Sequence, residues 1–259
     1  MTTAQNVTEE FVDVGGMRTQ MLKGGSGAPL LVLHNEDGNP GWMPHHQALS
    51  ERFTVYAPSH PGYNDTPQSW VNTINDMAQF YIGLMEELGL DQVSLLGHSM
   101  GGWIAAEIGA MCAHKVKGMV LVDALGVRPR DGQIAEVFMV SREQVQQISW
   151  HDISKMPEAG ELSQEQQEMV WRNREMSSRL LWKPYMHNPN LPEYLKLVHV
   201  PSLVVWGRQD AVVPVECGEI YNQSLRGSSL SVIDNSGHFP HVEQPQEFLN
   251  VTLDFLSKL

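Results

Sequence analysis

The run Gly97-His98-Ser99-Met100-Gly101 sits between a short apolar stretch, Val93 to Leu96, and a run of small residues from Gly102 to Ala113. The apolar stretch reads as a buried strand, and the small residues read as a helix that can lie close to a sheet. A tight turn between them forces Ser99 into a strained backbone conformation and exposes its hydroxyl at the carboxyl edge of the sheet. A serine hydroxyl is a weak nucleophile at neutral pH, so it needs a base within hydrogen-bond reach and a third group to orient that base. Two downstream residues fit by placement. His238, in Asn235-Ser236-Gly237-His238-Phe239, follows the last strand-like run, and Asp210, in Gly207-Arg208-Gln209-Asp210, follows the one before it. Asp123, at the end of its own strand-like run, is a competing acid.

The elements that must position these residues alternate in character. Short apolar runs at Leu30 to Leu33, Phe53 to Ala57, Val93 to Leu96, Val116 to Asp123, Ser202 to Trp206 and Leu230 to Ile233 are separated by segments of helical period. That alternation predicts an α/β fold with a mostly parallel sheet covered by helices. Phe11 to Val14 and Met17 to Lys23, joined at Gly15-Gly16, predict an opening hairpin. Met77, Phe80, Tyr81, Leu84, Met85 and Leu88 recur at helical spacing, with Asn75 or Asp76 as the expected cap and Gly89 as the stop. Phe248, Val251, Phe255, Leu256 and Leu259 mark one face of a closing helix. From about Val127 to His199 the strand-like runs cease, and Glu, Gln, Met, Trp and Arg prevail at helical spacing with proline breaks.

Composition narrows the function classes. The 259 residues carry 17 Lys and Arg against 30 Asp and Glu, a net charge of −13 that repels phosphate backbones and anionic lipid heads. Nucleic acid and membrane partners are therefore not expected. Two cysteines, Cys112 and Cys217, form no disulfide framework, and Met1 to Phe11 has no apolar run to serve as a signal peptide, so a cytoplasmic location is the expectation. His45, His46, His238 and His241 could suggest a metal, but adjacent histidines in a strand point apart and no ligand set occurs at recognised spacing. No cofactor is implied.

Ser-Met-Gly-Gly at 99 to 102, Gly-Arg-Gln-Asp at 207 to 210, and Ser-Gly-His at 236 to 238 followed by Glu243, Gln244 and Pro245 resemble recurring segments of the α/β-hydrolase family. The chain order Ser, Asp, His is also that family's order, and the resemblance extends along nearly the whole chain. It implies an eight-stranded, mostly parallel sheet, a catalytic triad of Ser99, Asp210 and His238, and an inserted helical cap at 127–198 over a core of 1–126 and 199–259. Asp210 is favoured over Asp123 because its loop matches the commoner pattern. The oxyanion hole implied by the family uses the amide of Met100 and one from the loop after the third strand, by position that of Glu36. There the chain departs from the pattern: Asn35 stands where many members have Gly, and its tolerance of positive φ is expected to preserve the turn. Halide-releasing and epoxide-opening relatives use an aspartate nucleophile, which Ser99 excludes by resemblance.

A serine hydrolase acting on a carboxylic ester or lactone is the reading favoured. Family members with Ser-Met-Gly-Gly include hydrolases of carbon–carbon bonds in ring-cleavage products, whose anionic substrates usually need an Arg in the pocket; Arg172, Arg174 and Arg179 are candidates. Glu36 and Asp37 at the mouth disfavour strongly anionic substrates. A receptor-like member that keeps the triad but only binds ligand is a third reading. Cap residues Met139, Trp150, Met169, Trp171, Met176, Trp182 and Met186 are candidates to line an adaptable pocket that sets substrate choice, while the core supplies the chemistry.

Overall fold

The structure, a computed structural model, describes residues 7–157 and 160–259. Residues 1–6 of the leader reading, and two residues within the break at Pro157 to Gly160, lie outside the described residues. The chain begins with a hairpin, β1 (Thr8–Val14) and β2 (Met17–Gly24), turning at Gly15-Gly16 as expected, and continues through β3 (Ala28–Leu33), α1 (Pro44–Ser50), β4 (Phe53–Pro58) and α2 (Ile74–Glu87). The centre is β5 (Val93–His98), α3 (Met100–Met111) and β6 (Val116–Val122). Between β6 and the next strand lie α4 (Arg142–Ser149), α5 (Gln164–Leu181) and α6 (Leu191–Leu195). The fold closes with β7 (Ser202–Gly207), α7 (Val215–Ser224), β8 (Ser229–Ile233), α8 (Pro240–Glu243) and α9 (Pro245–Leu256).

The eight strands form one sheet in the order β1-β2-β4-β3-β5-β6-β7-β8. Only β2 runs against the others, pairing antiparallel with β1 and β4. Parallel strands buried on both faces must be apolar at every position, and their side chains divide between two cores. Leu31, Leu33, Leu95, Leu121 and Val204 pack with Met77, Tyr81, Leu84, Ile104 and Ile108 of α2 and α3. Leu30, Val32, Leu96, Val120, Val122 and Val205 pack on the opposite face with Leu49, Phe248 and Leu256 of α1 and α9.

Two expectations need correction. The cap of α2 is Thr73, whose side chain accepts from the Asp76 amide while the Asp76 carboxylate accepts from the Thr73 amide; Asp76 completes the box three residues in, and Asn75 takes no part. In α9, Phe248, Val251, Phe255 and Leu256 pack against one core as expected, but Thr252 is buried among them and Leu259 lies beyond the end of the helix.

Strands running parallel bring their carboxyl ends to one edge, where β5 gives way to Ser99 and α3. A Cβ at Gly101 would meet the Leu33 carbonyl oxygen at 2.2 Å and that of His34 at 2.6 Å, so glycine is what lets α3 start directly against β3. Gly101→Ala is expected to cost about 3 kcal/mol, seen as a fall of roughly 6–12 °C in Tm by calorimetry. A melting temperature equal to wild type would contradict this close approach.

Candidate active site

Ser99 is fully buried and sits between β5 and α3 at φ 52°, ψ −114°. A left-handed serine is strained, and the surroundings over-determine it. Its N–H donates to Val122 O at 2.9 Å, and its carbonyl accepts from the amides of Gly102, Trp103 and Leu125 at 3.0 to 3.2 Å. From this turn the Ser99 hydroxyl donates to His238 Nε2 at 2.9 Å, and His238 Nδ1–H donates to Asp210 Oδ2 at 2.7 Å. The other oxygen of Asp210 accepts from the Val212 and Val213 amides at 2.8 and 3.0 Å. Ser99, His238 and Asp210 are thus brought together as one hydrogen-bonded chain. Asp123 is also brought there, but its Oδ1 accepts from the Gly207 amide at 2.8 Å and it makes no hydrogen bond to His238.

The loop after β3 is held from below by an imidazole network. His34 Nε2 accepts from the His60 amide at 2.9 Å, so the ring proton is on Nδ1, which donates to Asn35 O at 2.7 Å. His60 Nε2–H in turn donates to His34 O at 2.9 Å, and its Nδ1 pairs with the Tyr81 hydroxyl. Fixing the Asn35 carbonyl fixes the peptide plane it shares with Glu36, whose N–H must point the opposite way. Met100, as the first residue of α3, has an N–H with no partner inside the helix. The expected positive φ at Asn35 is not observed; the left-handed residues of this loop are Gly38, at φ 107°, and Gly41, at φ 89°. Asn35 instead closes the turn with its side chain, Oδ1 accepting from the Asp37 amide at 3.3 Å.

The segment between β6 and β7 makes hydrogen bonds to the loops that carry these residues. In α5, Ser177 Oγ donates to Glu36 O at 2.5 Å and pairs with the Tyr63 hydroxyl at 2.7 Å, while Asn173 Nδ2 donates to Asp37 O at 2.9 Å. At the end of α4, Ser149 O accepts from the His238 amide at 2.7 Å, and Trp150 stacks on Phe239 at 4.7 Å between ring centroids. Glu243 spans the same junction, accepting from the Gly237 and Asp152 amides at 2.7 and 2.8 Å. Sequence reasoning missed Ser177, Asn173 and Ser149. Two of them are polar residues on a helix that is mostly polar, and only their tertiary partners mark them.

A cavity of about 250 Å³ lies beside this loop, lined by His34, Asn35, His98, Trp150, Phe239 and His241, among others. Of the expected cap residues only Trp150 lines it. Met176 lines a second cavity of about 290 Å³, Met186 is core, Met169 is half-buried, and Met139, Trp171 and Trp182 face solvent. The three arginines are also elsewhere. Arg172 and Arg179 line the second cavity, and Arg174 donates to the carbonyls of Val137 and Val140.

Titratable groups are concentrated at this edge. His45 and His46 do not point apart, because they lie on α1 rather than a strand; their rings are 4.2 Å apart, with His241 4.8 Å from His45 and from His98. Burial pulls His34 down to about 3 and His46 to about 4, and pulls His45, His60, His98 and His241 well below the usual imidazole range. Burial raises the Glu36 carboxyl, against the opposing pull of His238. His238 goes the other way: burial opposes its charge, but Asp210 first, then Glu36 and Asp123, push it up to about 9.

These shifts set the pH dependence of stability. Six imidazoles are depressed on folding, so below about 6.5 the unfolded chain binds protons that the native chain does not, and stability falls as pH drops. His238 is raised, so its contribution is present below about 6.5 and is lost as pH rises through about 9. With on the order of 1 kcal/mol per depressed imidazole, Tm is expected to drop by roughly 10–20 °C between about pH 7.5 and about pH 5.5. Calorimetry showing equal Tm at the two values would contradict the neutral, buried histidine cluster.

Comparison with known proteins agrees with this architecture. The chain is 26% identical over 277 residues to a 2-hydroxy-6-oxo-2,4-heptadienoate hydrolase of Pseudomonas putida, covering 99% of each protein. In structure it resembles a putative lipase from Acinetobacter baumannii, with TM-score 0.84, 20% identity and coverage of 97% of this chain and 91% of that one. It also resembles a meta-cleavage product hydrolase from Pseudomonas fluorescens, with TM-score 0.81, 21% identity and coverage of 96% and 97%. No helix among the described residues is long and apolar enough to cross a membrane. The model of the alpha/beta hydrolase family matches residues 30–251, and the chain belongs to that family.

Proposed function

We propose that the protein is a serine hydrolase that cleaves a carboxylic ester or lactone through an acyl-enzyme on Ser99. The observation that carries this reading is the unbroken chain from Asp210 through His238 to the Ser99 hydroxyl, at 2.7 and 2.9 Å. Ser99 Oγ attacks the carbonyl carbon as its proton passes to His238 Nε2, and Asp210 stabilises the imidazolium that forms. The amides of Met100 and Glu36 receive the negative charge on the carbonyl oxygen. His238 then gives its proton to the departing alkoxide, and water repeats the sequence on the acyl-enzyme to release the acid and restore Ser99.

The names of the relatives favour a second reading, hydrolysis of a carbon–carbon bond in an anionic ring-cleavage product. Arg172 and Arg179 line the second cavity, Arg174 is tied to the Val137 and Val140 carbonyls, and Glu36 puts an acidic group against Ser99 and His238. These features support a neutral substrate. The segment at 127–198 acts in this reading as a cap that braces the catalytic loops as well as shaping the pocket.

A fluorophosphonate is expected to label Ser99, located by peptide mass spectrometry, and His238→Ala to suppress the labelling. On a panel of p-nitrophenyl esters of increasing acyl length run beside a ring-cleavage dienoate, ester turnover is expected to exceed dienoate turnover. Ser99→Ala and Asp210→Asn are each expected to lower kcat by about 10³-fold or more. Faster dienoate turnover would select the second reading, and tight binding without turnover of either would select a receptor.

The bracing role makes a separate prediction. Ser177→Ala removes the donor to the Glu36 carbonyl and is expected to slow fluorophosphonate labelling by about tenfold, one hydrogen bond to that loop being lost. A labelling rate equal to wild type, with only the preference among esters changed, would reduce the cap to pocket shaping.

A further inference from the structure

Two buried carboxyl groups meet behind His238. Asp210 accepts three N–H groups, two backbone amides on one oxygen and the His238 ring N–H on the other. Asp123 follows β6 with no exposed surface and a left-handed backbone at φ 44°. Its N–H donates to Val205 O at 3.0 Å, and its Oδ1 accepts from the Gly207 amide at 2.8 Å. Its Oδ2 is buried and has no hydrogen-bond partner among the described residues. Yet one oxygen of Asp123, one of Asp210 and a ring nitrogen of His238 all lie within 4.8 Å of one another.

Two carboxylates this close in a dry site do not both stay ionised. Asp210 has three N–H donors to support its charge and Asp123 has one, so the charge belongs on Asp210 and the proton on Asp123. The groups facing Asp123 are Asp210, His238 and the Gly207 amide. Burial, then the Asp210 charge, holds the Asp123 carboxyl well above the usual carboxylate range, against the pull of the other two. An unpartnered buried Oδ2 is costly as an anion but becomes a donor once protonated, and Asp210 is the anionic acceptor beside it.

We propose that Asp123 is a positioning residue that stays protonated while the enzyme works and donates its Oδ2–H to the Asp210 carboxylate, damping the charge that Asp210 presents to His238. The proposal rests on the reading of Ser99, His238 and Asp210 as the working triad. It accounts for a base that can function at neutral pH. Negative charge on Asp210, Glu36 and Asp123 favours the protonated form of His238, which cannot accept from Ser99. A proton on Asp123 removes one of those charges and weakens another, and it remains on Asp123 through the whole cycle.

Two variants test this without straining the turn. Asp123→Asn keeps both interactions, its amide oxygen accepting from Gly207 and its N–H donating to Asp210, and asparagine tolerates a left-handed backbone. Asp123→Gly removes the group where glycine adopts the same φ freely. The readout is the rate of fluorophosphonate labelling of Ser99 against pH, which requires no identified substrate. Asp123→Asn is expected to label within about threefold of wild type with the same acid limb, and Asp123→Gly to move that limb up by about one pH unit and label about tenfold more slowly at neutral pH. A second readout does not depend on reactivity: the infrared carbonyl band of a protonated carboxylic acid at neutral pH, present in wild type and missing in Asp123→Asn. A loss of about 100-fold or more in folded Asp123→Asn, an unmoved acid limb in Asp123→Gly, or no such band in the difference spectrum would each overturn the proposal. If wild-type Ser99 resists labelling altogether, the triad reading fails, and the infrared band alone decides whether Asp123 carries the proton.

Discussion

The left-handed backbone at Ser99 is the constraint on which the rest of the site depends. A non-glycine residue in this conformation persists only if its neighbours leave it no alternative. Here β6 supplies the acceptor for its N–H, α3 and Leu125 supply donors to its carbonyl, and Gly101 lets the helix begin against the backbone of β3. Parallel strand order matters for the same reason. Because β3, β5, β6, β7 and β8 run in one direction, the loops that follow them, bearing Glu36, Ser99, Asp123, Asp210 and His238, all emerge at one edge of the sheet.

Around that fixed point the loops are held from two sides. His34, His60 and Tyr81 tie the loop after β3 to the core beneath, and Ser177 and Asn173 of α5 tie it to the segment above. Ser149 and Glu243 do the same for the loop that carries His238. Hydrogen bonds in a buried network rigidify the groups they connect, and a site that must hold atoms to within a fraction of an ångström gains from such second contacts. Hydrogen bonds thus join the segment between β6 and β7 to the loops at this edge of the sheet.

The sheet, its helices and the three residues of the hydrogen-bonded chain were legible in the sequence because their signals are local. A strand-length apolar run followed by Gly-x-Ser-x-Gly, and an Asp and a His each just beyond such a run, constrain position through strand direction alone. Thr73 was passed over as a cap because Asn75 and Asp76 are equally good cap types, and only backbone geometry separates them. Asn35 misled because it replaces a glycine of the family pattern, while the left-handed turn had moved to Gly38. Trp171 and Trp182 are large apolar residues at helical spacing, the same signal a pocket wall gives, yet both face solvent. Ser177, Asn173 and His60 had no local signal, since their partners lie 21 to 141 residues away in the chain.

The central claim is that Ser99, activated by His238 and Asp210, carries the acyl group during turnover. Rapid acid quenching during steady-state cleavage of a p-nitrophenyl ester, followed by peptide mass spectrometry, tests it most directly. The account predicts that the peptide containing Ser99 gains the mass of the acyl group on the serine, and that the adduct is absent from Ser99→Ala. Sustained turnover with no adduct on Ser99, or with the acyl group on another residue, would contradict it.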